Sequence, residues 1–147
     1  MENGFTISTD KAKLDIAAIH DYLCNRSYWG QGRTIETVQK SIDHSLCFGV
    51  YDKDGILVGF ARVETDYAVF AYLMDLFILE AYRNNGLGKM LVNHIINDNA
   101  FTEIRFWRLD TKDAHGLYRK YGFKEPLLPE RIMEKRKVAN NSHSKNF

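Results

Sequence analysis

Hydrophobic positions follow first a strand rhythm and then a helix rhythm near the start of the chain. GFTIS at 4–8 alternates apolar and polar residues, which is typical of a half-buried strand. Thr9 and Asp10 then offer an N-cap to a predicted helix. The apolar positions of that helix lie mostly on one face: Leu14, Ile16, Ala17, Ile19 and Leu23. A glycine-containing loop at 24–34 follows, and Thr34 is placed to cap a second helix.

The centre of the chain is strongly apolar and predicts several strands. LCFGVYD and ILVGFARVE flank the Asp54-Gly55 step, a good hairpin signal. FAYLMDLFIL at 70–79 is typical of a central strand covered on both faces, and Asp75 is its single charged residue. The remaining pattern predicts a helix after Gly86, a strand at 103–111, a helix at 112–122 and a closing segment at 123–136. Prolines argue against regular structure where that last segment starts.

The composition fits one ordinary globular domain. Of 147 residues, 45% are hydrophobic and 27% are charged, enough for a single core. Because 20 basic residues balance 19 acidic ones to a net charge of +1, we expect neither nucleic acid nor membrane as a partner. We predict a domain at 1–136 and a polar C-terminal tail at 137–147.

The cysteines, the histidines and the chain start predict a cytoplasmic protein without a metal. Cys24 and Cys47 lack zinc-site spacing and are typical of free thiols in a reducing compartment. The five histidines form no HExxH pattern, so we predict no metal. The N-terminus lacks the apolar core of a signal peptide, and no apolar run approaches the ~20 residues that span a bilayer.

The glycines in LFILEAYRNNGLGKML predict an anion site. Gly86 and Gly88 permit a positive φ or a close approach of ligand to backbone. The first turn of the next helix presents unpaired N–H groups, and Arg83 and Lys89 add positive charge. We therefore expect a phosphate or pyrophosphate group to bind here. The spacing matches neither the dinucleotide fingerprint nor the P-loop, although a plain tight turn remains an alternative interpretation.

This stretch resembles the [RQ]xxGxG/A signature of the GNAT superfamily of N-acyltransferases. AHGLYRKYGF resembles a second motif of that family, matching at Ala114, Leu117, Tyr118, Lys120, Gly122 and Phe123. The resemblance covers roughly residues 4–135 and implies the order β-α-α-β-β-β-α-β-α-β. The implied fold class is α/β (α+β mixed), a GNAT acyl-CoA N-acyltransferase fold whose central, mostly antiparallel mixed sheet is flanked by helices.

The resemblance implies an acetyl-CoA-dependent N-acetyltransferase that acts on a primary amine of a small molecule or protein. It assigns the pantetheine arm of acetyl-CoA to the backbone of Leu76, Phe77 and Ile78. It assigns the pyrophosphate to the glycine loop: Arg83, Asn84, Asn85, Gly86, Leu87, Gly88 and Lys89. Thr111 stands where many members carry a cofactor-binding Asn, so it either contacts the cofactor or caps the following helix.

The resemblance also implies catalytic residues. Tyr118 matches the general acid that protonates or hydrogen-bonds the departing thiolate. An alkylamine is about 2,500-fold more often protonated than free at pH 7, so a base is useful. Asp75 is the first candidate base, with Glu64 and Glu80 as alternatives. A structural carboxylate paired with an arginine is the other interpretation of Asp75.

The acceptor site is the least defined part of the prediction. The resemblance assigns it to the loop that carries Tyr28 and Trp29, with Glu64 nearby, although both aromatic residues are equally suited to anchoring that loop. Two other functions stay open: an acyl-CoA-sensing module without turnover, and an acyltransferase that uses a different acyl donor. The apolar stretch YAVFAYLMDLFIL leaves room for a homodimer.

Overall fold

The computed structural model describes residues 3–137, so all but the first residue of the predicted tail at 137–147 lies outside the described part. The strands are β1 (Thr6–Ser8), β2 (Leu46–Tyr51), β3 (Leu57–Thr65), β4 (Phe70–Ile78) and β5 (Phe106–Leu109). The α-helices are α1 (Ile16–Asp21), α2 (Ile35–Asp43), α3 (Leu87–Ile96) and α4 (His115–Arg119). No helix within 3–137 is long and apolar enough to cross a bilayer.

The sheet has the order β1-β2-β3-β4-β5, and helices flank it on both faces. Strands β1 to β4 pair antiparallel, whereas β5 pairs parallel to β4. Apolar residues form one core cluster with α3 and α4, and a second with α1 and α2. The predicted mixed, mostly antiparallel sheet flanked by helices is therefore confirmed.

Local capping sets where the first helices begin. Asp15 Oδ1 accepts from Ala18 N at 3.0 Å and starts α1, so the first α-helix begins later than Thr9 or Asp10 predicted. Asp10 instead caps a short 3-10 turn at Lys11–Lys13. Thr34 caps α2 as expected, with Thr37 N donating to Oγ1 at 3.1 Å.

The final strand of the predicted element order is absent from the described residues. Between 123 and 137 the chain forms one 3-10 turn at Pro129–Arg131 and no strand. Pro126 and Pro129 have no N–H to donate to a ladder, which explains why this segment does not pair. Within residues 3–137, β5 is therefore an edge strand.

Strand β4 changes its pairing halfway along. Phe60 pairs with Phe77 while Arg62 pairs with Met74, so Asp75 and Leu76 together face one residue of β3. This is a β-bulge, and Asp75 carries the left-handed φ of +54°. Pairing with β5 covers only Phe70 to Leu73. The second half of β4 therefore has a free backbone edge beside β5.

Candidate active site

The free edge of β4 forms one wall of a cleft of about 530 Å³. Leu79 N donates to Val58 O at 2.8 Å across the β3 side. Since backbone groups alternate sides along a strand, those of Leu76 and Ile78 point away from β3 and towards the cleft. Arg83 Nε donates a hydrogen bond to the Ile78 carbonyl oxygen at 3.0 Å. The N–H groups of Leu76 and Ile78 therefore point into the cleft as hydrogen-bond donors.

The N-terminus of α3 forms the end of this cleft. Gly86 caps the helix in the left-handed conformation with φ +74° and ψ +12°, and its cap makes no side-chain hydrogen bond. A Cβ on Gly88 would meet only Leu117, at 3.7 Å, so the cleft comes close to the backbone here. Gly86, Leu87, Gly88 and Lys89 all line the cleft. Unpaired N–H groups and the positive end of the helix dipole at such a terminus favour an anion.

The other loop residues divide into two groups. Arg83 and Asn84 line the cleft, and Asn84 also has a left-handed φ of +67°. The Arg83 guanidinium donates to Tyr22 Oη at 2.6 Å, and the Tyr22 ring stacks on Phe77 at 4.0 Å. Asn85 instead turns back and donates to Tyr82 O at 3.1 Å. The structure thus adds Tyr22, which sequence reasoning missed because it looked like an ordinary core aromatic of the first helix.

Tyr118, on α4, lines a second cavity and not the cleft described above. It is 8% exposed and packs edge-on against Phe123 at 5.9 Å. Burial, with smaller contributions from the nearby Tyr28 and Asp113, raises the pKa of Tyr118 to about 12. Its hydroxyl consequently stays protonated at neutral pH and serves as a hydrogen-bond donor. Thr111 Oγ1 accepts from Ala114 N at 3.0 Å, so Thr111 braces the turn before α4.

Tyr28 connects the two sides of the cleft. Its hydroxyl accepts from Lys112 N at 2.8 Å, and Lys112 Nζ lies 5.3 Å from the centre of its ring. Trp29 packs edge-on against Tyr28 at 5.0 Å, and both line the cleft. A larger cavity of about 950 Å³ lies by β5 and the 123–134 segment, and both Thr111 and Tyr118 line it.

Asp75 is placed inside a network of donors. Its side chain is 1% exposed and lies between Arg33 and Arg62. Arg62 Nε donates to Oδ2 at 2.6 Å, and Trp29 Nε1 donates to Oδ1 at 2.8 Å. The structure therefore brings Trp29 and Asp75 together, although 46 residues separate them in the chain.

The two alternative carboxylates are also paired. Glu64 accepts from Ser45 Oγ and from Arg62 at 3.3 Å, and its side chain is 42% exposed. Glu80 accepts from Arg26, which lowers its pKa from 4.5 to about 2. Neither Glu64 nor Glu80 lines either cavity described above. Within residues 3–137, no group of three His, Cys, Asp or Glu side chains is arranged to hold a metal ion.

Comparison with known proteins identifies the family. The model of the acetyltransferase (GNAT) domain matches residues 43–125, more than half of the chain. A GNAT-family protein of Xanthomonas campestris pv. campestris, assigned as an acetyltransferase, is 44% identical with a TM-score of 0.87, covering 90% of this chain and 93% of that one. The chain belongs to the GNAT acetyltransferase family.

One further relative agrees with this assignment, and a further solved structure has the same fold. The uncharacterized N-acetyltransferase CT2212 of Chlorobaculum tepidum is 26% identical over 112 residues, covering 71% of this chain and 70% of the relative. An acetyltransferase-type protein of Clostridium acetobutylicum is 13% identical with a TM-score of 0.67, covering 90% of this chain and 94% of that one, and it shares the fold. The resemblance read from the two sequence motifs is thus confirmed.

Proposed function

We propose that the protein transfers the acetyl group of acetyl-CoA to a primary amine of a small molecule or protein. The observation that carries this proposal is the half-open strand β4, whose free edge leads to the bare N-terminus of α3. The crystal structure of the Clostridium acetobutylicum protein with the same fold was solved with acetyl-CoA. A cytoplasmic location is also proposed, supported by the free thiols of Cys24 and Cys47.

The described residues fit the two polar parts of acetyl-CoA. The pantetheine arm is an extended amide chain, and the N–H group of Ile78 suits it as a strand edge suits a peptide, which leaves the Leu76 N–H for the thioester carbonyl. The pyrophosphate carries negative charge, which the N–H groups of α3, Arg83 and Lys89 favour. Acidic residues are absent from the first turn of α3, so nothing there opposes an anion.

The reaction is a direct acyl transfer without an acyl-enzyme. The amine nitrogen attacks the thioester carbonyl, a C–N bond forms, the C–S bond breaks, and the amine proton passes to water or a base. The Leu76 N–H is proposed to hold the carbonyl oxygen as it gains negative charge. Tyr118 is proposed to donate a hydrogen bond or its proton to the departing thiolate. Its raised pKa of about 12, against about 8.5 for a thiol, favours the hydrogen bond over full proton transfer.

The acceptor amine is proposed to arrive from the larger cavity. Thr111 and Tyr118 both line that cavity, whereas Tyr28 and Trp29 line the smaller cleft. Because the Tyr28 hydroxyl accepts from Lys112 N, next in the chain to Thr111, Tyr28 is proposed to lie where acceptor and donor meet, in keeping with its predicted place beside the amine. The larger volume of about 950 Å³ accommodates either a small amine or an extended side chain, so acceptor size stays open.

A thiol-release assay tests this function. Acetyl-CoA is supplied with a panel of primary amines that includes amino acids, polyamines and peptides with a free N-terminus or lysine. We expect thiol release that depends on both substrates, together with binding of acetyl-CoA by calorimetry and none of NAD. Binding without turnover on any amine would support a sensing module instead. Faster release from a longer acyl-CoA would make the natural donor a different acyl group.

A further inference from the structure

Asp75 occupies a strained backbone position at the bulge of β4. Its φ of +54° is uncommon for a residue with a side chain, although Asp adopts this region more readily than most residues do. This conformation is what sets Leu76 on the cleft side after Met74 has paired with Arg62. A residue in this state persists only where its surroundings hold it.

The surroundings of Asp75 hold both oxygens of its carboxylate. Oδ1 accepts from Trp29 Nε1 at 2.8 Å and from Arg33 Nη1 at 2.9 Å. Oδ2 accepts from Arg33 Nη1 at 2.9 Å and from Arg62 Nε at 2.6 Å. An ionised carboxylate has about four lone-pair sites, so the four contacts use all of them.

This arrangement is unfavourable for a general base. A base must reach the amine proton at hydrogen-bond distance with a free lone pair. Asp75 is 1% exposed, its lone pairs face two guanidinium groups and an indole, and it lines neither cavity. The charged groups around it are Arg33 from the helix connection and Arg62 from β3, with Glu64 on the far side of Arg62.

The same contacts are favourable for fixing a wall of the active site. Trp29 and Arg33 belong to the connection between α1 and α2, which also carries Tyr28. The Tyr28 hydroxyl accepts from Lys112 N, and Tyr28 lines the same cleft as Leu76. The carboxylate of Asp75 therefore ties this connection to the β4 bulge, which exposes the Leu76 amide.

We infer that Asp75 is a positioning residue whose carboxylate, held by Arg33 and Arg62, fixes the Tyr28–Trp29 segment against the bulge of β4. This inference rests on the proposed acetyl transfer, because it places the Tyr28–Trp29 segment and the Leu76 amide around the same acetyl group. The amine proton leaves to solvent, and the pH dependence of the rate follows the free amine. A misplacement of about 1 Å in such a wall lowers the rate on the order of 100-fold.

The pH profile of Asp75→Asn separates positioning from base catalysis. If Asp75 positions the wall, kcat falls about 10- to 100-fold at every pH from 6 to 10, and the KM for acetyl-CoA changes less than about threefold. If Asp75 is the base, the variant recovers as pH rises, because the amine is then already deprotonated. A ratio of wild-type to variant rate that shrinks towards 1 at high pH overturns the inference. Asp52→Asn, the same chemical change in the β2–β3 turn, is the matched control.

Tryptophan fluorescence tests the positioning without any substrate. The chain has two tryptophans, so Trp107→Phe leaves Trp29 as the sole reporter. In that background Asp75→Asn should shift the Trp29 emission to the red and increase its quenching by acrylamide, whereas Asp52→Asn should change neither. An unchanged Trp29 spectrum in a folded Asp75→Asn variant overturns the inference, even if no acceptor amine has been found.

Arg33→Gln provides a second route where Asp75→Asn does not fold. Arg33 is 24% exposed, so its loss is easier to tolerate than the loss of the buried carboxylate. Arg33 is not a candidate general base. If Asp75 positions the wall, Arg33→Gln should nevertheless lower kcat and shift the Trp29 emission as Asp75→Asn does. Wild-type kinetics in Arg33→Gln overturn the inference. Acetyl-CoA binding by the wild type without turnover on any amine would count against the proposed function, while the Trp29 measurements would still decide the positioning.

Discussion

The two halves of β4 belong to one strand and differ mainly in their backbone partners. Ala71 to Leu73 pair with both β3 and β5, whereas Phe77 and Ile78 pair with β3 alone. Leu73 and Phe77 are each 3% exposed, so side-chain burial does not separate the halves. The edge of β4 beside β5 is therefore paired up to Leu73 and free beyond the bulge at Asp75, while the core beneath it stays filled.

The largest expected effect comes from truncating the core of each half. Phe77→Ala should lower the free energy of unfolding by about 3–5 kcal/mol, and Leu73→Ala by about 2–5 kcal/mol, because each leaves a cavity. Only Phe77→Ala should also weaken acetyl-CoA binding, since Phe77 supports Tyr22 and through it Arg83. Denaturant unfolding and calorimetry measure the two quantities. Equal loss of affinity in both variants would erase the difference between the halves.

The next largest effect is expected from removing the hydroxyl of Tyr118, the proposed donor to the departing thiolate. Tyr118→Phe should lower kcat about 100-fold with little change in acetyl-CoA affinity, because it removes only the donor to the thiolate. Tyr121→Phe is the matched control, since Tyr121 Oη donates to Lys89 O at 3.1 Å and is not assigned to the reaction. Steady-state kinetics with an accepted amine decide it. A Tyr118→Phe variant with wild-type kcat would remove the general-acid assignment.

A smaller effect is expected at the glycine that caps α3. Gly86→Ala and Gly55→Ala both place a Cβ on a left-handed backbone with no atom within 4 Å, at φ of +74° and +79°. Each should cost about 1–2 kcal/mol of folding stability through this strain. Acetyl-CoA affinity should fall only for Gly86→Ala, because Gly55 lies in the β2–β3 turn. Equal affinities in the two variants would mean that the α3 terminus is only a turn.

The smallest effect is expected from the Arg26–Glu80 ion pair, which lies just after β4. Arg26 holds the pKa of Glu80 at about 2 instead of 4.5, so this pair stabilises the fold above about pH 4.5 and the contribution is lost as pH falls towards 2. Because Glu80 is 48% exposed, the contribution should be only ~0.2–1 kcal/mol. The difference in unfolding free energy between wild type and Glu80→Gln, measured from pH 6 to 3, should narrow with acid. A difference that stays constant would contradict the pairing.

The contrast between the halves also explains what the sequence predicted. The glycine loop was readable because Gly86 and Gly88 act through their own backbone and the adjacent helix start. The continuous apolar run predicted β4 as a central strand, and the two motifs predicted the family. Both signals are local in the chain, so no knowledge of distant contacts was needed.

Other features depend on contacts between distant residues. Trp29, Arg33 and Arg62 meet at Asp75 only after the sheet and the helix connection have formed. A single charge in an apolar run marked Asp75 as unusual without indicating its partners. Between residues 123 and 137 the last strand of the family order is also absent, and the prolines at 126 and 129 are the local signal against it.

Amide hydrogen exchange with and without acetyl-CoA tests most directly the claim that the open half of β4 and the α3 terminus bind the donor. We predict that the N–H groups of Leu76, Ile78 and Gly88 exchange more slowly when acetyl-CoA is added, and that NAD has no effect. The amides of Ala71 and Leu73, within the stretch of β4 already paired on both sides, should not change. Unchanged exchange at Leu76, Ile78 and Gly88 under saturating acetyl-CoA would contradict this account of the site.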